Sequence, residues 1–124
     1  MIPTMVATND TIVAPASGAG LAAIAVIRIS GPATRDMLEA LTGGVPPPRY
    51  AALRDIGPPR WSKLDRGLVL WFPGPASFTG EDMAEVHCHG SVVGVAAVLR
   101  RLLELGARQA LAGEFTRRAF INGR

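Results

Sequence analysis

Two charged residues stand inside otherwise apolar, β-prone runs, and both are of a kind that grips a polar ligand. Arg28 sits within Ala25-Val-Ile-Arg-Ile-Ser30, and Glu85 within Met83-Ala-Glu-Val-His87. An unpaired guanidinium or carboxylate is costly in such a strand, so each needs a counter-charge or a ligand. A carboxylate can accept two parallel N–H bonds. A pterin offers that donor pair, an exocyclic amine beside a ring N–H. The plainer alternative pairs Arg28 with Glu85 across a sheet. The two readings are compatible if a ligand competes for the pair or extends it.

His87-Cys88-His89 raises two further chemistries. In a strand the two histidines share a face with Glu85, and that trio could ligate zinc. The chain has no other His or Cys to help. Satisfied polar residues at a strand end, or residues lining a pocket, account for the histidines more simply. Cys88 points the other way, on the same face as apolar Ala84 and Val86. Apolar neighbours raise a thiol pKa, which argues against a nucleophile. Gly18-Ala-Gly-Leu-Ala-Ala23 matches a dinucleotide fingerprint, G-x-G-x-x-A. That fingerprint needs a helix directly after the glycines, whereas the residues here favour a strand. The run is read instead as a flexible connecting loop that would give a ligand close backbone access. No Gly-x-x-x-x-Gly-Lys followed by Ser or Thr occurs, so these residues hold no P-loop for GTP. No residue stands out as a catalytic acid, base or nucleophile.

The elements that must position Arg28 and Glu85 follow from periodicity and punctuation. Strands are expected at 11–14, 23–30, 50–56, 67–72 and 83–89. In the second, period two puts Ile24, Val26, Arg28 and Ser30 on one face and Ala25, Ile27 and Ile29 on the other. Ser30-Gly-Pro32 opens a helix that runs through Leu41, with Met37, Leu38 and Leu41 on one face, and Gly43-Gly44 stops it. Pro46-Pro-Pro48 reads as an extended link, Lys63 to Arg66 as a turn, and Ala76 to Asp82 as a loop. A helix at 92–105 carries the apolar stripe Val95, Val98, Leu99, Leu102 and Leu105, capped by Gly106. Residues 107–113 read as a connector and 114–120 as a last helix. The order β-β-α-β-β-β-α-α is not a doubly wound alternation. It predicts an α+β domain, with a mixed, mainly antiparallel sheet of about five strands and about three helices.

Length and composition bound the rest. The 124 residues suit one domain, and 48% hydrophobic with 19% charged residues is ordinary for a globular protein. No uncharged run reaches the roughly 20 residues a membrane helix needs, and the first ten residues lack the pattern of a signal peptide. One cysteine, Cys88, cannot form an internal disulfide. These features fit a cytoplasmic compartment. The 13 basic residues exceed the acidic ones by three, too small a surplus to indicate nucleic-acid binding. Only Lys63 is lysine; the scattered arginines are expected mostly to solvate the surface.

Five blocks in order carry a family resemblance. They are Asp10-Thr-Ile-Val-Ala14, Val26-Ile-Arg-Ile-Ser-Gly31, Leu70-Trp-Phe-Pro-Gly-Pro-Ala-Ser-Phe-Thr-Gly-Glu-Asp82, Glu85-Val-His-Cys-His-Gly90 and Gly113-Glu-Phe-Thr-Arg-Arg-Ala-Phe-Ile-Asn-Gly-Arg124. Together they resemble the N-terminal domain of the tRNA-modification GTPase family MnmE, also called TrmE. The resemblance implies a fold similar to the tetrahydrofolate-binding domain of aminomethyltransferases. It implies binding of 5-formyl-tetrahydrofolate, or another tetrahydrofolate derivative, and homodimerisation. The folate-contacting arginine, glutamate and lysine of the family fall on Arg28, Glu85 and Arg124. The last is a departure, since arginine keeps the charge but not lysine's point-donor geometry.

By the same resemblance, residues 1–124 form a single N-terminal domain of a longer protein. Its helical domain and G domain, with their GTP, K⁺ and Mg²⁺, would lie beyond Arg124. That protein would modify C5 of the wobble uridine, position 34, in tRNA, together with the FAD-dependent partner MnmG, also called GidA. The fragment itself would hold neither a catalytic residue nor a metal. Two alternatives from other classes are a self-sufficient folate-dependent one-carbon transferase and a dimerisation scaffold without ligand.

Overall fold

The computed structural model describes residues 10–16, 24–57, 65–89 and 92–124. The glycine-rich run at 18–23 lies outside the described residues. The strand that follows it, from Ile24, is described, and it stands where the dinucleotide fingerprint would continue as a helix.

Nine elements follow one another: β1 (Ile12–Pro15), β2 (Ile24–Ser30), α1 (Thr34–Thr42), β3 (Ala52–Ile56), β4 (Asp65–Phe72), β5 (Met83–His89), α2 (Val92–Glu104), β6 (Arg108–Gln109) and α3 (Glu114–Ile121). The strands make one sheet in the order β3-β4-β5-β2-β1-β6. Every neighbouring pair is antiparallel except β1 and β6. The fold is therefore α+β with a mixed, mainly antiparallel sheet.

Alternation decides which face of the sheet is dry. Ala25, Ile27 and Ile29 of β2 and Ala84, Val86 and Cys88 of β5 join one buried cluster with Val13, Val69 and Trp71. Helices α1 and α2 close that cluster with Met37, Leu38, Leu41, Val98 and Leu102. Val95, Leu99 and Leu105 pack at its margin, so the whole apolar stripe read from α2 faces the core. The opposite sheet face carries Arg28, Glu85 and His87. There the pairing sets Arg28 opposite Glu85, and Leu70 on the other side of Glu85. The neighbouring rung runs Leu53, Leu68, His87 and Val26.

Helix α1 lacks a side-chain cap of its own at Ala33. The Thr11 hydroxyl instead holds that residue in place, accepting the Ala33 N–H at 2.9 Å. The helix ends at Gly43 in the left-handed region, φ 83°, as the Gly43-Gly44 pair foretells.

Two readings are corrected. The sheet has six strands, because Arg108–Gln109 pairs in parallel with Ile12 and Val13 inside the stretch read as a connector. Two polar residues leave no hydrophobic period to detect. Asp65 and Arg66 belong to β4 and not to a turn. Asp65 is held there by accepting the His89 backbone N–H at 2.8 Å. No helix among the described residues is long and apolar enough to cross a membrane.

Candidate functional site

The three residues singled out for binding come together. Arg28, Glu85 and Arg124 line one open cleft of about 460 Å³. Arg28 and Glu85 form its floor on the exposed sheet face, with Met83. Phe72, at the end of β4, and Arg49 also line it. So do Ala76, Ser77 and Phe78, from the loop between β4 and β5. Arg124 arrives just beyond α3.

Glu85 is the centre of the floor. Arg28 Nε donates to its Oε2 at 3.1 Å. His87 Nε2 lies 2.9 Å from its Oε1. A carboxylate is acceptor-only, so that nitrogen must carry the proton. Burial pushes the Glu85 pKa up, but the hydrogen bonds from His87 and Arg28 outweigh it and hold it below the ordinary 4.5. Glu85 is thus an anion at neutral pH. Its two oxygens offer about four acceptor directions, and among the described residues one side-chain hydrogen bond reaches each. The cross-sheet pair expected from the sequence is present, and it leaves room for a ligand to extend it.

The histidines do not share a carboxylate. His89 Nδ1 meets Asp65 Oδ1 at 2.7 Å, while His87 meets Glu85. Among the described residues no trio of His, Cys, Asp or Glu converges to hold a metal. Cys88 is buried, and its burial, with the charge of Asp65, pushes the thiol pKa up.

The wall of the cleft is positioned by a second charged cluster that the sequence reading missed. Arg118 is 2% exposed. It donates to Glu81 Oε1 at 3.1 Å and to the Asp10 carbonyl at 2.9 Å, and it bonds the Asp10 carboxylate. Glu114 Oε2 lies 3.4 Å away. Arg108 bridges Asp10 and Glu114, at 2.6 Å to each. The Arg108 guanidinium, set against burial, holds both carboxyls below their usual range. Glu81 also accepts the Ser30 hydroxyl at 2.7 Å, and Asn122 donates to the Thr79 carbonyl at 2.8 Å. These contacts clamp α3 and the 73–82 loop to β2, and so fix Ser77 and Arg124 at the cleft. The Glu114–Arg118 spacing of four in a helix was the visible signal. Asp10 lies too far away in sequence to be matched by inspection.

The family described as "GTP-binding protein TrmE N-terminus" matches residues 11–124. The chain is 55% identical over 117 residues to the tRNA modification GTPase MnmE of Granulibacter bethesdensis, covering 94% of this chain and 27% of that protein. It is 59% identical over 119 residues to the MnmE of Methylobacterium sp. strain 4-46, with the same coverage. It is also 54% identical over 118 residues to the mitochondrial 5-taurinomethyluridine tRNA synthase subunit GTPB3 of Danio rerio, covering 94% of this chain and 24% of that one. The chain thus spans about a quarter of the length of the curated relatives it matches.

Proposed function

The chain belongs to the family of GTP-binding protein TrmE N-termini, and from that premise we propose that it is the folate-binding and self-pairing module of a tRNA-modification GTPase. The ligand is 5-formyl-tetrahydrofolate or a close tetrahydrofolate derivative, and it sits in the cleft of Arg28, Glu85 and Arg124. GTP hydrolysis, its K⁺ and Mg²⁺, tRNA and the FAD-dependent partner MnmG belong to the longer protein, which works in the cytoplasm.

One observation carries the ligand reading. An ionised Glu85 stands in an open cleft with one hydrogen bond from the described residues on each oxygen, and Phe72 and Phe78 also line the space. A carboxylate in that state suits the amine and ring N–H of a pterin, and flat rings suit its faces. The one-carbon unit comes with the folate. The residues that line the cleft bind and orient it.

Calorimetry with 5-formyl-tetrahydrofolate tests the reading. Glu85→Gln keeps the shape of the cleft and removes the charge, and affinity should fall at least about tenfold. Equal affinity in both proteins would take Glu85 out of the site. Absence of uptake at millimolar ligand would favour the scaffold reading.

Self-pairing has support in the open sheet face, where Leu53 and Leu68 sit opposite each other, 53% and 40% exposed. A partner copy burying roughly 1,200–2,000 Å² would be of ordinary size. Sedimentation equilibrium should give twice the chain mass, and a monomer at micromolar concentration would refute it.

A further inference from the structure

We propose that Arg49 is a third ligand-binding arginine of this cleft, acting with Arg124 to hold the two carboxylates of a folate's glutamate tail. The inference rests on the folate reading above and adds what the far end of the ligand meets.

Arg49 has a backbone that a side chain rarely adopts. Its φ is 62°, and among the described residues it is the one non-glycine with a positive φ. Such outliers persist where the surroundings impose them, and they gather at ligand sites. Here the chain is pinned on both sides. The Arg49 N–H donates to the Trp71 carbonyl at 2.8 Å and the Tyr50 N–H to that of Pro47 at 3.2 Å. Pro48 pairs with Trp71 as an isolated bridge. The rigid Pro46-Pro-Pro48 segment thus delivers one arginine to the cleft.

The side chain is then steered inward. Its guanidinium lies 5.7 Å from the centre of the Phe72 ring and donates to the Ala76 carbonyl. Arg124 Nε donates to the next carbonyl, Ser77, at 3.1 Å. Two guanidiniums therefore hang on consecutive carbonyls of one loop. A neutral carbonyl orients a guanidinium without cancelling its charge. Among the described residues neither Arg49 nor Arg124 meets a carboxylate, while Arg28, Arg108 and Arg118 all do. Each of the two keeps N–H groups to spare from its five.

Two neighbouring cations repel unless an anion joins them. The cleft as a whole sets Arg28, Arg49 and Arg124 against Glu85 alone. A tetrahydrofolate has a pterin at one end, which Glu85 suits. At the other end it has a glutamate, whose two carboxylates number the same as the uncompensated arginines. The fork of a guanidinium matches a carboxylate.

The experiment compares two ligands and three proteins by calorimetry. The ligands are 5-formyl-tetrahydrofolate and 5-formyl-tetrahydropteroate, which keeps the ring system and lacks the glutamate. Wild type should bind the tailed ligand about tenfold more tightly, and the margin should shrink in about 0.5 M salt. Arg49→Asn should lower affinity for the tailed ligand about fivefold and leave the tail-less one within about twofold. Asparagine tolerates the left-handed backbone, so the fold is retained. Arg49→Lys, which keeps the charge, should fall between the two.

Equal losses for both ligands would overturn the proposal, since Arg49 would then only shape the wall through Ala76 and Phe72. So would unchanged affinity of Arg49→Asn for the tailed ligand, or a wild type that binds both ligands alike. A wild type that binds neither ligand defeats the folate reading itself, and this inference with it.

Discussion

Two clusters of arginine and carboxylate flank the 73–82 loop, and they are opposites. On one side Asp10, Glu81 and Glu114 enclose Arg108 and Arg118: three carboxylates for two guanidiniums, with Arg118 almost wholly buried. On the other side Arg28, Arg49 and Arg124 face Glu85: three guanidiniums for one carboxylate, open to solvent. In the first cluster each guanidinium is held by at least two carboxylates, which leaves nothing for a ligand to complete. In the second, two cations are oriented by carbonyls and left uncompensated. Similar side chains thus serve cohesion in one place and binding in the other. The difference lies in burial and in the sign of the surplus.

The sharpest way to break this comparison is to remove one cation from the closed cluster. Arg118→Ala strands Glu81, Asp10 and Glu114 near one another with a single guanidinium left. Breaking a buried pair in this way costs about 3–5 kcal/mol. Urea unfolding should show that loss. Glu85→Gln in the open cluster should cost no more than about 1 kcal/mol, because Arg28 is 40% exposed and solvent takes over. Similar losses for the two variants would mean that the clusters are not different in kind.

Acid probes the same contrast more gently. Asp10 and Glu114 are held below their ordinary values of 3.8 and 4.5, chiefly by hydrogen bonds from Arg108, with burial opposing. A carboxyl whose folded pKa is depressed contributes stability that is whole above its ordinary value. That contribution is lost as pH falls through the folded value. The protein should therefore lose stability as pH drops below about 4.5. Arg108→Gln should cost about 1–2 kcal/mol at pH 7, since Arg108 is partly exposed. It should also make the decline between pH 5 and 3 shallower. Some decline should remain, because Asp65 and Glu85 are depressed as well and do not depend on Arg108. An unchanged slope in the variant would place the acid sensitivity elsewhere.

How legible these clusters were differs for physical reasons. Arg28 and Glu85 interrupt runs whose two-residue period is otherwise apolar on the core side, so the sequence alone marks them and even pairs them. Helix α2 was legible through its stripe from Val95 to Leu105. The closed cluster was not, because Asp10, Glu81 and Arg118 lie on three separate segments that only the folded loop brings together. Arg49 was hidden differently. It follows Pro46-Pro-Pro48, which reads as a plain link, and nothing local announces a left-handed residue that is arginine. Strand β6 is two polar residues long, below what any periodicity can register.

The subtlest test joins the two clusters through a single glycine. Gly80 lies on the shared loop with φ +82°, and a Cβ there would stand 2.9 Å from Asn122 Cβ and 3.2 Å from Arg124 Cγ. Gly80→Ala thus combines backbone strain with a push on the residue that borders the cleft. Gly43→Ala separates the two effects. Its φ is +83°, and a Cβ there meets nothing within 4 Å. Gly43→Ala should lose about 1 kcal/mol of stability, because alanine resists a positive φ, and Gly80→Ala should lose more, because the contact with Asn122 adds to the strain. Gly80→Ala alone should also weaken 5-formyl-tetrahydrofolate binding, by about threefold, as Arg124 is displaced from the Ser77 carbonyl. If both variants kept wild-type affinity, the placement of Arg124 by the loop would be irrelevant to binding. If both lost it equally, the effect would be one of general stability. A loss confined to Gly80→Ala ties the open cluster to the closed one through the loop they share.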